Sequence, residues 1–391
     1  MTKKIAVVFE GYSHQRYGVF NAVVNRVKYL RAVSGFHIDI FMIQVYDSWL
    51  TRRFRESEPV EKGADYIEAD GERIKIWWVS RSFVDGVIHH TLDKEPVCLF
   101  QKFNLLAREL KGYHMVSAHD MLPAQLAWSA SKQFRIPFFV TWHGTSIHTT
   151  PLTDPMVKRI TLNLINQASC NFFVTERLAA YAVNFFDTGI KYQVLHNGAS
   201  DAFVRLPDDV RSQLRKRLGV EGKKVITFAA RFEQEKNAML LPRIFQAIKA
   251  KHHGGLQFWA FGDGTLRPSV EKAMKSQGID CTFWGNQPPT AMPEFLNCTD
   301  VLVLPSRLEA MPLITIEALS CGANAVGTDV MGIASVVGEE NVVDINRADF
   351  VEAFSSRVAL MLAEHVEQHL PADCSWEATA KKELEIYHHY L

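Results

Sequence analysis

Along the chain, short apolar runs alternate with longer stretches in which apolar positions recur every three or four residues. The short runs fall at residues 5–9, 36–43, 74–79, 115–118, 138–142, 171–174 and 193–195. A second set falls at 225–229, 256–261, 281–284, 301–304, 323–327 and 341–344. Amphipathic stretches such as 100–110, 123–132, 240–251, 313–320 and 350–363 lie between them. Near-continuous apolar runs alternating with helical periods predict parallel strands covered on both faces by helices. The expected fold class is therefore α/β, with two Rossmann-like, doubly wound units in tandem. Asn197-Gly198, Pro207-Asp208-Asp209 and Gly222 are turn and breaker signals. They bound a first unit over 1–195 and a second over 196–374. A last helical stretch, 376–390, repeats Trp376, Ala380, Leu384, Tyr387 and Leu391. Residues 45–72 are polar and rich in Arg and Glu, and are expected to form a loop with a short helix. The run Glu68-Ala69-Asp70-Gly71-Glu72 within them reads as a solvated turn before the strand at 74–79.

Composition narrows the function classes. Lys+Arg and Asp+Glu both number 43, so the net charge is zero. That argues against a nucleic-acid binder and against an acidic interaction tail. The balance conceals an asymmetry: residues 1–200 carry 23 Lys+Arg against 18 Asp+Glu. A basic first half suits an anionic acceptor or an anionic membrane surface, although so small an excess also arises by chance. No apolar run approaches 18 residues, and the run after Lys3-Lys4 ends at Glu10, so neither a membrane span nor a signal peptide is expected. Six cysteines without a C-x-x-C pair read as reduced thiols of a cytoplasmic protein.

In doubly wound sheets ligands bind beyond the carboxyl ends of the strands, so candidate chemistry is sought there. Arg231 and Lys236 follow the strand at 225–229, in the turn leading to the next helix. Two cations there, at the start of the next helix and with its N-terminus, suit a diphosphate, or else they are solvated surface charges. After the strand at 301–304 come Glu309 and, seven intervening residues later, Glu317. Eight positions of helix span slightly over two turns, which would put both carboxylates on one face. Glu317 sits among Ile314, Ile316, Ala318 and Leu319, where a carboxylate needs a specific partner such as ligand hydroxyls. In the first half, His119-Asp120 and His143-Gly144 follow strands. Asp120 either orients a histidine, binds acceptor or caps the helix before Pro123. Gly18 either lets a ligand approach the backbone or packs a helix.

The run from Pro305 to Gly327 resembles the donor-site signature of glycosyltransferase family 4, the retaining GT-B enzymes: a Pro-Ser strand end, a Glu-x7-Glu pair, then a Cys321-Gly322 helix stop. The Arg231…Lys236 turn resembles the same family's diphosphate-binding turn. Phe261-Gly262-Asp263-Gly264, Trp284-Gly285, His196-Asn197-Gly198, Thr141-Trp142-His143-Gly144 and Ser375-Trp376 extend the likeness over nearly the whole chain. Three positions depart from it. The family's N-terminal Gly-Gly is Tyr17-Gly18, a later Gly-Gly is Met331-Gly332, and Ser335 stands where a Glu is common.

The resemblance implies a GT-B fold with two domains facing a central cleft and with helix 375–391 packing back on the first. It implies transfer of a sugar, with retention, from a nucleotide-sugar such as a UDP-sugar. The acceptor would be a hydroxyl of a glycan or lipid-linked glycan in cell-surface polysaccharide or glycolipid synthesis. By that resemblance Arg231 and Lys236 stabilise the departing diphosphate, and Glu317 binds the ribose hydroxyls. Glu309 lies near the donor sugar, and Met311, Pro312 and Leu313 face sugar or phosphate, Pro312 without an N–H to give. His143 contacts the donor sugar. Gly18 and Asp120 serve the acceptor, with His14 and Arg16 as weaker candidates. There is no Asp-x-Asp motif, so no metal or other cofactor is expected. Peripheral contact with the inner face of a membrane would run through Arg52, Arg53 and Arg55. The competing readings are a catalytically silent GT-B subunit that binds a nucleotide-sugar or partner enzyme, a GT-B sugar-nucleotide epimerase, and a nicotinamide-dependent dehydrogenase. The last lacks its G-x-G-x-x-G after the first strand.

Overall fold

The computed structural model describes residues 2–12, 18–55, 62–92, 94–364 and 366–391. Two compact units divide these residues: 1–196 with 376–391, and 197–375.

The first unit holds β1 (Lys4–Glu10), β2 (His37–Asp47), β3 (Tyr66–Ala69), β4 (Glu72–Arg81), β5 (Met115–His119), β6 (Phe138–Trp142), β7 (Cys170–Phe173) and β8 (Tyr192–Val194). They form one sheet in the order β3-β4-β2-β1-β5-β6-β7-β8, and only β3 runs antiparallel to its neighbour. The order reverses at β1, which pairs with β2 on one side and β5 on the other. The segment expected to form a loop with a short helix does hold that helix, Trp49–Arg55, while two of its other described stretches are strand: β2 continues to Asp47, and β3 pairs with β4. The acidic run is thus a hairpin. Asp70 and Gly71 have φ of 51° and 80°, the positive values that a two-residue hairpin turn demands. Of the arginines on helix Trp49–Arg55, only Arg52 has its side chain among those described.

The terminal helix Trp376–His388 belongs to this unit. Its Ala380 and Tyr387 are buried in the same apolar cluster as Val23, Val27 and Leu30 of helix Val19–Ser34 and as Phe139 and Phe172 of the sheet.

The second unit holds β9 (Lys224–Ala229), β10 (Leu256–Phe261), β11 (Cys281–Gly285), β12 (Val301–Leu304), β13 (Asn324–Thr328) and β14 (Val342–Val343). All are parallel, in the order β11-β10-β9-β12-β13-β14, so the order reverses at β9. The last strand is shorter than its apolar run because residues 339–341 form a 3-10 turn. Ile226, Phe228, Phe258, Val303 and Val326 from the strands pack with Ile244, Phe245, Phe354 and Val358 from helices Leu241–Lys251 and Phe350–Ala363. At about 25 cal/mol per Å² of apolar area buried, such clusters are the main force fixing the loops at each sheet's edge. Among the described residues, no helix is long and apolar enough to cross a membrane.

Candidate functional site

The second unit's topological switch point lies between β9 and β12, and the loops after these two strands are tied together there. Lys236 Nζ lies 2.8 Å from Glu309 Oε1, and Ser306 Oγ donates to the same oxygen at 2.9 Å. Lys236 Nζ also lies 3.5 Å from the Leu308 carbonyl, and the Arg307 amide donates to the Glu235 carbonyl at 2.8 Å. Lys236 and Glu309 are mostly buried, at 17% and 10% side-chain exposure, so water screens their pairing little. Arg231 differs. Its side chain is 66% exposed, and Nη2 bonds Glu235 Oε1 at 2.6 Å. One fixed and one movable cation therefore share the turn, and the movable one can leave Glu235 for an anion at little cost.

The glycines after β10 explain how the turn keeps its shape. A Cβ on Gly262 would sit 2.1 Å from the Ala230 carbonyl oxygen, and one on Gly264 would sit 2.6 Å from that of Phe232. Both have positive φ. Phe232 donates to the Asp263 carbonyl at 2.9 Å, and Gly262 donates to that of Gly285 at 2.8 Å. The Gly-Asp-Gly run is thus a backbone brace under the Arg231 turn.

The two glutamates do not share a helical face. The helix begins at Leu313, after Pro312 with φ −71° and ψ 123°, so Glu309 belongs to the irregular loop before it. Glu309 is held by Lys236 and Ser306, whereas no described side chain pairs with Glu317. Burial pushes the Glu317 carboxyl up to about 7. A partnerless, desolvated carboxyl suits a ligand that donates hydroxyls. The amides of Leu313 and Ile314, in the first turn of that helix, have no intrahelical acceptor. The Met311 carbonyl is committed inward, accepting from Asn197 Nδ2 at 3.1 Å. Arg231 and Lys236 do not stand at a helix N-terminus either. Two 3-10 turns, Gln234–Lys236 and Ala238–Leu240, precede helix Leu241–Lys251, so the cations and not the helix amides supply the charge.

In the first unit the corresponding switch point, between β1 and β5, carries Glu10 and Asp120. The β1–β5 register pairs Phe9 with His119, one residue before each carboxyl. Asp120 occupies the cap position of helix Met121–Phe134 at φ 66°, but its side chain makes no capping bond. It accepts instead from the His143 amide at 3.1 Å. Burial raises the Asp120 carboxyl to about 7 against the His143 bond, with the Glu10 charge adding to the rise. Burial also raises Glu10, opposed by Arg81. His143 Nε2 lies 2.9 Å from His119 Nδ1. Desolvation, then the Arg26 charge, pushes His143 down to about 3. Gly18 precedes helix Val19–Ser34 at φ 55°, and among the described residues, its own helix backbone aside, no atom lies within 4 Å of where its Cβ would be. Packing therefore does not require a glycine there, although its backbone angle favours one. His14 and Arg16 lie outside the described residues.

Sequence alone gave no role to Glu235, Ser306 or Glu10. Glu235 carried a signal in its i+4 spacing from Arg231, and Ser306 in the Pro-Ser strand end.

Residues 210–375 match the family model for glycosyl transferases group 1. The chain is 27% identical over 308 residues to a D-inositol 3-phosphate glycosyltransferase of Rhodococcus erythropolis, covering 72% of this chain and 69% of that one. It is 25% identical over 235 residues to the lipopolysaccharide 1,2-N-acetylglucosaminetransferase of Salmonella typhimurium, covering 54% and 57%. The chain spans little more than half the length of the first curated relatives it matches. Among solved structures, Anabaena HepE in complex with UDP superposes with a TM-score of 0.69 at 14% identity, over 98% of this chain and 95% of that one. The two-unit fold is that of the GT-B glycosyltransferases, and the match to the group 1 family model lies within the second unit.

Proposed function

We propose that this chain is a retaining, family 4 glycosyltransferase. It moves a sugar from a nucleotide-sugar, a UDP-sugar first, to a hydroxyl of a glycan or lipid-linked glycan in cell-surface polysaccharide or glycolipid synthesis. The observation that carries the reading is the tie between the β9 and β12 loops, where the Lys236–Glu309–Ser306 cluster sits beside the movable Arg231. HepE, solved with UDP, supports the choice of nucleotide.

In this reading the glycosyl–phosphate bond breaks as the acceptor oxygen bonds the anomeric carbon from the same face. The acceptor hydroxyl proton passes to the departing phosphate oxygen. Negative charge grows on the diphosphate, and a preorganised cation aimed at it is worth a few kcal/mol of barrier. Lys236 is that preorganised cation, because Glu309 and the Leu308 carbonyl fix it. Arg231 swings from Glu235 onto the diphosphate. The Leu313 and Ile314 amides turn toward phosphate or sugar, and Glu317 takes the ribose hydroxyls. Glu309 orients Lys236 and borders the donor sugar. His143, in the first unit, meets the sugar as a neutral imidazole, and Asp120 and Gly18 serve the acceptor. Two protein cations at the diphosphate make a metal unnecessary for that charge.

The location assigned is cytoplasmic, with Arg52, Arg53 and Arg55 against an anionic membrane face. Absence of binding to anionic liposomes at low salt would remove the membrane part. The reaction is tested by incubating the protein with UDP-sugars and glycan or lipid-linked acceptors. UDP release that depends on acceptor, with an anomeric configuration kept in the product, supports it. Nucleotide binding without turnover under any pairing would favour a silent subunit.

A further inference from the structure

A second charged network lies in the core of the first unit, and the reading above does not use it. Arg26, on helix Val19–Ser34, is 4% exposed. Its Nε bonds Glu383 Oε2 at 2.6 Å, and Glu383, on the terminal helix, is 1% exposed. The Tyr387 hydroxyl donates to the other Glu383 oxygen. Arg26 Nη1 donates to Thr141 Oγ1 at 3.1 Å, two residues before His143 on the same strand end. The guanidinium carbon stands 5.5 Å from the Phe172 ring centre, and Nη2 is buried without a partner among the described residues. The attraction of a buried ion pair repays its desolvation only where the geometry is good and further hydrogen bonds satisfy both partners, as Thr141 and Tyr387 do here.

Its position indicates what it serves. His119 and His143 lie edge to edge with their ring planes nearly parallel, centroids 5.2 Å apart along the Nδ1–Nε2 contact, which a shared proton makes a hydrogen bond. Such a pair readily takes up a second proton, since an imidazolium donates strongly to a neutral ring. The nearby carboxyls, Glu10 and Asp120, would favour that uptake if ionised. Opposing it are desolvation and the fixed charge of Arg26, whose field acts on both rings. Glu383 and Tyr387 stand beside Arg26 and are committed to it or to each other, and His148, in the turn after His143, is bonded to the Gly144 carbonyl.

We propose that Arg26, anchored by Glu383 of the terminal helix and by Thr141 of β6, is a positioning residue for the His119–His143 pair. It keeps both rings neutral, so that His143 Nδ1 presents one fixed tautomer. If His119 donates the shared proton, Nδ1 of His143 is a donor; if His143 donates it, Nδ1 is an acceptor. The catalytic consequence rests on the glycosyltransferase reading, whereas the protonation claim does not.

The test is imidazole NMR of the full chain labelled in histidine, with the two signals assigned through His119→Gln and His143→Gln. In the wild type, His143 shows no titration between pH 5 and pH 8 and a single neutral tautomer. Arg26→Met alone strands Glu383, so the informative variant is Arg26→Met with Glu383→Leu, which removes both charges. In it the His143 titration enters the pH 5 to pH 8 window, a shift of about a hundredfold or more toward the charged form. Arg26→Lys, which keeps the charge, leaves it silent. Under turnover, the double variant loses kcat/KM more at pH 6 than at pH 8. Titration of His143 near its ordinary value in the wild type overturns the proposal. So does a folded double variant whose His143 stays as silent as before, even if activity falls, because Arg26 is then only structural. Absent turnover with the predicted NMR behaviour would instead count against the glycosyltransferase reading.

Discussion

The two switch points occupy the same place in two similar sheets and are built in opposite ways. At β9/β12 the charges are cationic, close to the surface and partly free to move: Lys236 is held by Glu309, and Arg231 is two-thirds exposed. At β1/β5 the groups are carboxyls and imidazoles sunk into the unit, with their charged forms suppressed by burial. The difference follows from what each end would handle. A diphosphate brings its own charge and needs cations that water does not already satisfy. A sugar hydroxyl is neutral and is recognised by neutral donors and acceptors in fixed tautomers. On the proposed function, one topology would serve two kinds of recognition, chosen by whether the loops bury or expose their polar groups.

The comparison can be broken most forcefully from the buried side. Arg26→Met, leaving Glu383 uncompensated in the first unit, should cost about 3–5 kcal/mol of stability. Chemical denaturation should show the loss in the first unit's transition. On the exposed side the large effect is on rate instead. Lys236→Ala should lower kcat by about 10²–10³. Steady-state kinetics with the donor that turns over should show this with KM changed less. A smaller effect separates Glu317 from Glu309. With its carboxyl raised to about 7, the folded protein holds a proton there that the unfolded chain releases above about 4.5. The group's contribution to stability is therefore lost as pH rises through that window, and at pH 8 it is a net cost. Glu317→Gln should gain about 1–2 kcal/mol at pH 8 and less at pH 5, while weakening nucleotide binding. Melting at the two pH values reads this directly. The smallest expected change is Arg231→Ala, within about 0.5 kcal/mol of wild-type stability, since an exposed i,i+4 pair contributes little.

The strands were legible because apolar runs in a parallel sheet are continuous, and the structure moves most of their ends by one or two residues. The hairpin at Tyr66–Ala69 was not, because β3 is an edge strand of four residues, too short for the alternation of exposed Tyr66 and Glu68 with inward Ile67 and Ala69 to stand out. Asp70-Gly71 does form the solvated turn its residues indicate, but a turn signal alone does not reveal the strand before it. At the site, motif spacing singled out Arg231, Lys236, Glu309 and Glu317, but the pairings among them depend on the third dimension. Lys236 and Glu309 are 73 positions apart, and Arg26 and Glu383 are 357 apart. Nothing local distinguishes Arg26 from any other helical arginine. The assumption that Glu309 and Glu317 share a face failed because Pro312 sets the helix start and leaves Glu309 outside the regular period.

The central claim is that the second unit's cations bind a nucleoside diphosphate without a metal. Thermal unfolding with UDP, GDP, ADP and CMP, each in EDTA and in magnesium, on the wild type and Arg231→Ala, tests it most directly. Ligand at 100 times its Kd adds about 2.7 kcal/mol, enough for a clear shift. The account predicts stabilisation by UDP, equal in EDTA and in magnesium, and lost in Arg231→Ala. A shift that requires magnesium, or one that Arg231→Ala leaves intact, would contradict it.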